Sequence, residues 1–453
     1  MIFKRKLYDK LLVWKANQAD KTALLIEGAR RVGKSTLAKA FGANEYRSYI
    51  VVDFWEASQE VKDAFSQNLN NLDALFRFLQ LHYATRLYEH DSLIVLDEVQ
   101  LHPTARSAVK QLVADGRYHY IETGSLLSIK QNVSGAPIPS EEVSARLCPL
   151  DFEEFLWACG NDVATQFIRE SFATKEPLPD GSHRDLMRTF REYLLVGGMP
   201  QSVEAFLARN SFQEADDVKR AILDLYRKDI TRFAAGYEGK VRRAFDAIPS
   251  QLSKHEKKFT VSAMGHHARI RDYQVAFEWM SEACVTNMCW SVTDPCVGLA
   301  LYEDDGAFKC YMVDTGLLVT HALADRATTS NKIYEDVLTG KLSINEGMIT
   351  ENVVAQQLVA SGHRLRFYSS YASVASDRME IDFLVAREYS DAGGKARVSP
   401  IEVKSSNRYG LSSLDKFKTK FGKRVGTQFV LHPKTLSVEG DRVFLPLYMA
   451  HLV

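Results

Sequence analysis

The run Gly28-Ala-Arg-Arg-Val-Gly-Lys34-Ser35 constrains this chain more than any other feature. It matches G-x-x-x-x-G-K-[ST], directly after the apolar stretch Ala23-Leu-Leu-Ile-Glu27 and directly before a helical pattern. Its two glycines let the backbone turn so tightly that consecutive N–H groups and a helix N-terminus point at one anion. Gly28, Ala29, Arg30, Arg31, Val32, Gly33, Lys34, Ser35 and Thr36 are therefore expected to cradle the phosphates of ATP. Lys34 is expected to reach the β- and γ-phosphates as a point charge, and the Ser35 hydroxyl to ligate Mg²⁺.

A strand before such a loop and a helix after it imply a parallel α/β sheet. Leu93–Asp97, Tyr49–Asp53 and Tyr118–Glu122 supply further strand-like runs, and apolar residues between Leu72 and Leu87 recur at helical spacing. The run Leu93-Ile-Val-Leu-Asp97-Glu98 ends in the acidic pair that a nucleotide site needs: Asp97 to hold Mg²⁺ and Glu98 to act as general base toward water. In the next run, Thr123 or Ser125 is placed for the γ-phosphate or the water, with a plain turn as the competing reading. Arg146 has two readings: a guanidinium offered in trans to the nucleotide of a neighbouring subunit in a homo-oligomer, or a salt bridge to Glu153 or Glu154.

At 453 residues, the chain is long enough for several domains. The divisions expected are 1–157 for the ATPase core, 158–235 for a helical lid or connection, 236–335 for a winged-helix-like segment and 336–453 for a terminal α/β module. Residues 158–231 read as helical, broken by the loop-like stretch Lys175–His183. Residues 261–288 alternate short helical patterns, and 289–312 read as a β-ribbon turning at Tyr302-Glu-Asp-Asp-Gly306. Beyond them come a helix over 347–361 and strands at 364–368, 380–386, 398–403, 426–431 and 442–446.

Six cysteines, none in C-x-x-C spacing, read as buried thiols of a reducing compartment. Residues 2–10 lack the apolar stretch of a signal peptide, and no run approaches the length that spans a bilayer, so a cytoplasmic protein is expected without a membrane partner. His266 and His267 have no ligand-spaced partner, and the five tryptophans read as packing.

Taken in order, the phosphate loop, Leu-Asp-Glu-Val-Gln100, Thr-Gly-Ser125, Ala-Arg146, Pro149-Leu-Asp-Phe-Glu-Glu-Phe155, Gly197-Gly-Met-Pro200 and Ile401-Glu-Val-Lys-Ser405 resemble the prokaryotic AAA-type ATP-binding proteins that carry a C-terminal domain of unknown function. The resemblance implies a P-loop NTPase with a three-layer parallel sheet, a helical lid, a winged-helix segment and a restriction-endonuclease-like end. Ser35 stands where that family usually has Thr, and Ala145 where it usually has Gly.

Near the C-terminus, Glu380-Ile-Asp382 is followed about twenty residues on by Glu402-Val-Lys404. Period-two geometry puts Glu402 and Lys404 on one strand face, and pairing brings Asp382 beside Glu402. Asp382 and Glu402 are then candidate Mg²⁺ ligands, with Glu351 completing the set and Lys404 orienting a water or stabilising a scissile phosphate. An exposed face of alternating polar residues gives the same pattern without activity.

Lys+Arg and Asp+Glu both number 57, so no whole-molecule field draws the chain to nucleic acid. Locally, however, residues 219–258 hold eleven basic against five acidic groups, and 402–424 hold seven against two. The function expected is an Mg²⁺-dependent ATPase acting with a nuclease-like domain on DNA. The alternative is a nucleotide-dependent switch or protein-interaction module with slow hydrolysis and an inactive nuclease-like domain.

Overall fold

The computed structural model describes residues 2–124, 140–254, 256–265, 268–325, 329–338, 341, 345–370, 378–387 and 397–453. Ser125, His266 and His267 lie outside them. The chain divides into two compact units. One comprises Met1–Cys148 with Thr231–Ala235 and Glu282–Val285; the other comprises Pro149–Ile230, Gly236–Ser281 and Thr286–Val453.

In the first unit five parallel strands, β1 (Ala23–Glu27), β2 (Ser48–Asp53), β3 (Ser92–Asp97), β4 (His119–Gly124) and β5 (Glu142–Arg146), lie in the order β2-β3-β4-β1-β5. Every residue of β3 and β4 is buried, which is why these runs show no polar alternation. Leu25, Ile50, Val52, Ile94 and Leu96 form one face, packed with Phe65, Phe76 and Leu112 of the helices Gln59–Gln67, Leu72–His82 and Pro103–Asp115. Leu24, Ile26, Leu93, Val95 and Ile121 point the other way along the same strands and are equally buried. Both faces are thus covered, giving the expected three-layer α/β fold. The helix from Leu72 stops at His82 rather than running to Leu87, because the chain turns at Ala84 with φ 47°.

The second unit opens with the helices Phe152–Ala158, Asp162–Thr174, Asp180–Val196 and Pro200–Arg209 and the helix Phe212–Phe233 as far as Ile230. A hairpin follows, β6 (Thr286–Val292) and β7 (Glu303–Met312). Its expected turn at 302–306 is overturned: Glu303 already pairs with Val292, and the reversal is made by residues 293–302. β8 (Arg366–Ser370) joins parallel to β6, and β9 (Met379–Ile381) closes a sheet of order β7-β6-β8-β9. A five-stranded sheet follows, β10 (Phe383–Arg387), β11 (Arg397–Val403), β12 (Gln428–His432), β13 (Ser437–Glu439) and β14 (Arg442–Pro446), in the order β10-β11-β12-β14-β13. The single strand expected at 380–386 is therefore two, which break at Asp382 and belong to different sheets.

Gly197 and Gly198 serve packing. A Cβ on Gly198 would stand 2.1 Å from the Leu150 carbonyl oxygen, and one on Gly197, where φ is +80°, 2.3 Å from Asp314 Oδ1. The buried Asp314 carboxylate accepts from Gly198 N and from Leu317 N.

Candidate nucleotide site and the acidic cluster of the second unit

Gly28 ends β1 with φ +151°, and a Cβ there would stand 2.3 Å from the carbonyl oxygen of Leu147. Only glycine lets the loop leave the sheet along this path. Arg31 (φ 69°) and Gly33 (φ 99°) carry the turn round to the helix Lys34–Glu45, whose N-terminus faces into the loop. Lys34 is buried, and its ammonium donates to the carbonyl oxygens of Gly28 and Ala29 at 2.9 and 3.0 Å. Burial lowers its pKa against the pull of Glu98, Cys284 and Asp97, with Arg30 adding to the lowering. An anion held by this loop would relieve that desolvation.

β4 lies between the loop strand β1 and the acidic strand β3. This order sets Thr123 of β4 beside Asp97 of β3. Asp97 Oδ1 accepts from Ser35 Oγ at 2.8 Å and also from the Thr123 hydroxyl. Two hydroxyls and a buried carboxylate converging on one point form an all-oxygen donor set that fits Mg²⁺. Of the Thr123/Ser125 alternatives, the structure places Thr123 at the site, whereas Ser125 lies outside the described residues.

Glu98 follows with φ 51° and ψ 44°, a left-handed conformation that a non-glycine residue rarely adopts and that clusters at functional sites. Its carboxylate accepts from Gln100 Nε2, and Gln100 Oε1 is buried with no hydrogen-bond partner among the described residues. Arg146, at the end of β5, is in register with Glu27, one residue before Gly28. Burial opposes its charge, but Cys284, Cys148 and Glu27 outweigh this and raise its pKa. Glu153 accepts from Arg169 at 2.5 and 2.7 Å, and Glu154 closes a capping box with Asp151.

Sequence reasoning missed three side chains here. Arg5 donates to the carbonyl oxygens of Val32 and Cys148, at 3.1 and 2.5 Å, joining the loop to the segment after β5. Trp55 is not packing: it is 52% exposed and flanked by the guanidiniums of Arg30 and Arg232 at 5.5 and 5.1 Å from its ring centre. Gln100 stands in the Leu-Asp-Glu-Val-Gln run, but its spacing to Glu98 signals no role.

In the second unit, Asp382 and Glu402 do come together: Asp382 Oδ2 accepts from Val403 N at 2.8 Å, and Lys404 Nζ bonds Glu402 Oε1 at 2.6 Å. Burial and Asp382 push the Glu402 carboxyl up, and burial and Glu351 push Asp382 up. Glu402 Oε2 is buried without a hydrogen-bond partner among the described residues, as suits a protonated carboxyl. Sequence reasoning missed the group at the centre, Lys309 of β7. Its fully buried ammonium lies 3.0 Å from Glu351, 2.6 Å from Glu380 and 3.7 Å from Asp382. Glu351 also accepts from Lys257 and from the Tyr311 hydroxyl. Burial alone would raise its pKa, but Lys309 and Lys257 hold it below the carboxylate range. With a lysine already among these acids, the set as folded does not fit a divalent cation.

A phosphate loop on β1, a hydroxyl on the neighbouring strand and an acid on the strand beyond define a P-loop nucleotide-binding module. Residues 20–156 match the family model described as an AAA domain. Residues 187–328 and 346–450 match two domains of unknown function, DUF8612 and DUF4143. The chain thus carries an AAA-type P-loop ATPase domain followed by a C-terminal domain of unknown function.

Among solved structures, the chain is similar to C. elegans PCH-2, with 11% identity, 44% of this chain and 56% of that one covered, and a TM-score of 0.24. It is similar to a signal transduction ATPase with numerous domains and a tetratricopeptide repeat sensor from Pyrococcus horikoshii (13% identity, 79% and 48% covered, TM-score 0.26). It is also similar to the Aeropyrum pernix ORC1 protein in complex with DNA (12% identity, 72% and 93% covered, TM-score 0.23). The chain spans about half the length of the first two. No curated protein matches the sequence.

Proposed function

We propose that the first unit binds ATP with Mg²⁺ and hydrolyses it, and that the second unit responds to the nucleotide state. The observation that carries this reading is the shared oxygen, Asp97 Oδ1, on which Ser35 and Thr123 converge beside the phosphate loop. Lys34 exchanges the carbonyls of Gly28 and Ala29 for the β- and γ-phosphates. Ser35 and Asp97 hold the Mg²⁺, which supplies charge neutralisation at the phosphates. Glu98 takes the proton of the attacking water, oriented with help from Gln100. Arg146 stands one register position from the loop of its own chain, which supports a role toward that chain's nucleotide over one in trans.

The Lys34→Ala variant is expected to lose ATP turnover by at least about 100-fold, with its circular dichroism unchanged. Glu98→Gln is expected to keep nucleotide affinity and lose turnover. Normal turnover in Lys34→Ala would overturn the assignment.

For the second unit, Lys309 among the acids favours the switch reading, in which the nuclease-like residues are structural. The order helix Glu238–Leu252, helix Ile270–Glu282, hairpin β6–β7 supports a winged-helix-like arrangement. The exposed Lys228, Lys240, Arg242 and Arg243 support DNA as a partner, although Lys219 and Lys257 of the same basic run are spent on Leu195 O and Glu351. Plasmid DNA incubated with Mg²⁺ or Mn²⁺ is expected to be cut no faster by the wild type than by an Asp382→Ala, Glu402→Ala double variant. Faster cutting by the wild type would restore the nuclease reading.

A further inference from the structure

At the ends of the strands away from the phosphate loop, three residues far apart in sequence meet. Asp20 lies in the turn before β1, His90 in the turn before β3, and His119 is the first residue of β4. Asp20 Oδ1 is 3.1 Å from His90 Nδ1 and 3.0 Å from His119 Nε2, and the three atoms all lie within 4.8 Å of one another. Two ligand atoms about 2.0–2.1 Å from one tetrahedral Zn²⁺ stand roughly 3.3 Å apart, so the trio needs only small shifts to share an ion.

The surroundings hold the ligands in place. His119 is buried, its ring lies edge-on to Trp14 and Tyr46, and its other nitrogen, Nδ1, is 2.9 Å from the Tyr46 hydroxyl. A histidine that binds metal through one nitrogen usually has such a partner on the other, which fixes the tautomer and the ring orientation. His90 sits at φ 57°, and its backbone N–H donates to the carbonyl of Arg117, two residues before His119. The Asp20 turn is closed by Lys21 N and Thr22 N, both donating to Gln18 O. Asp20 and His90 are exposed, leaving a path to solvent and room for a water in a fourth position.

We propose that Asp20, His90 and His119 form a binding site for Zn²⁺ or a similar first-row divalent cation. Two imidazoles and a carboxylate suit such an ion better than Mg²⁺, which keeps to oxygen ligands. The ion would tie the turn before β1 and the turn before β3 to the start of β4, fastening the strand ends remote from the phosphate loop.

The test uses the full chain, stripped with a chelator and titrated with Zn²⁺ by calorimetry in saturating Mg²⁺, with Co²⁺ absorption reporting the ligand geometry. Asp20→Asn and His90→Ala change exposed side chains and leave the core intact. The wild type is expected to bind one more Zn²⁺ than either variant, or to bind it at least 10-fold more tightly, and to unfold at a higher temperature with Zn²⁺ where the variants do not. The same stoichiometry and affinity in all three proteins, or no Zn²⁺ binding by the wild type, would overturn the proposal.

Discussion

At the scale of single residues, one buried cation in the first unit serves two carboxylates. Glu122, next to Thr123 on β4, is fully buried, and Arg106 bonds it and Glu142 at 2.7 Å each. Burial drives the Glu122 pKa well up, and Arg106 draws it back while Glu142 adds to the rise. Removing the cation leaves two acids in the interior, and breaking a buried pair costs about 3–5 kcal/mol. Arg106→Ala is therefore expected to lower the unfolding free energy by roughly that amount in a urea titration. A loss below about 1 kcal/mol would mean that water already reaches these carboxylates. This network was not legible in the sequence, because Arg106, Glu122 and Glu142 sit on separate elements whose spacing carries no signal.

At the scale of elements, the central strands were readable because a strand buried on both faces is an unbroken apolar run. The edge strand β5, Glu-Val-Ser-Ala-Arg, is largely exposed and has no apolar run to mark it in the sequence. The loop Gly28–Ser35, Asp97 and Glu98 stand out in the sequence because the chemistry proposed for them demands fixed residue types at fixed spacing. Lys309 was not: a lysine on an alternating strand reads as solvated until the helix Glu346–Ala360 brings Glu351 to it and β9 with the residue after it brings Glu380 and Asp382. Strand β12 ends in His432, only 3% exposed, with Nδ1 2.6 Å from the Tyr409 hydroxyl. Burial, with Lys434 and His183 adding, pushes its pKa down to about 4, against the pull of the Thr435 carbonyl. Between that value and its ordinary 6.5 the unfolded chain binds a proton that the folded chain refuses. Stability is then fully present above pH 6.5 and falls as the pH drops toward 4, by up to about 3 kcal/mol. A His432→Gln variant is expected to show a flatter loss of denaturation midpoint across that window; an unchanged slope would assign the acid sensitivity elsewhere.

At the scale of the whole molecule, the zero net charge is an average over segments with different uses. Part of the basic excess over 219–258 is internal: Lys219 is buried against Leu195 O, Arg220 holds Asp216, and Lys257 pairs with Glu351. The described residues hold no helix long and apolar enough to cross a membrane. The boundary expected at 335/336 between a winged-helix-like segment and a terminal module is bridged, since β6 from the earlier segment pairs with β8 from the later one. Sequence could not show this, because parallel pairing between remote strands leaves no local trace.

The first unit draws Thr231–Ala235 and Glu282–Val285 from late in the chain, and Cys284 lies within electrostatic reach of Lys34. On a ribosome adding roughly 5–20 residues per second, Val285 is made about 7 to 27 s after Cys148. The nascent first unit therefore remains incomplete while most of the helices of the second unit are synthesised. A chaperone that shields it during that interval would act on a site whose sequence motif is already finished.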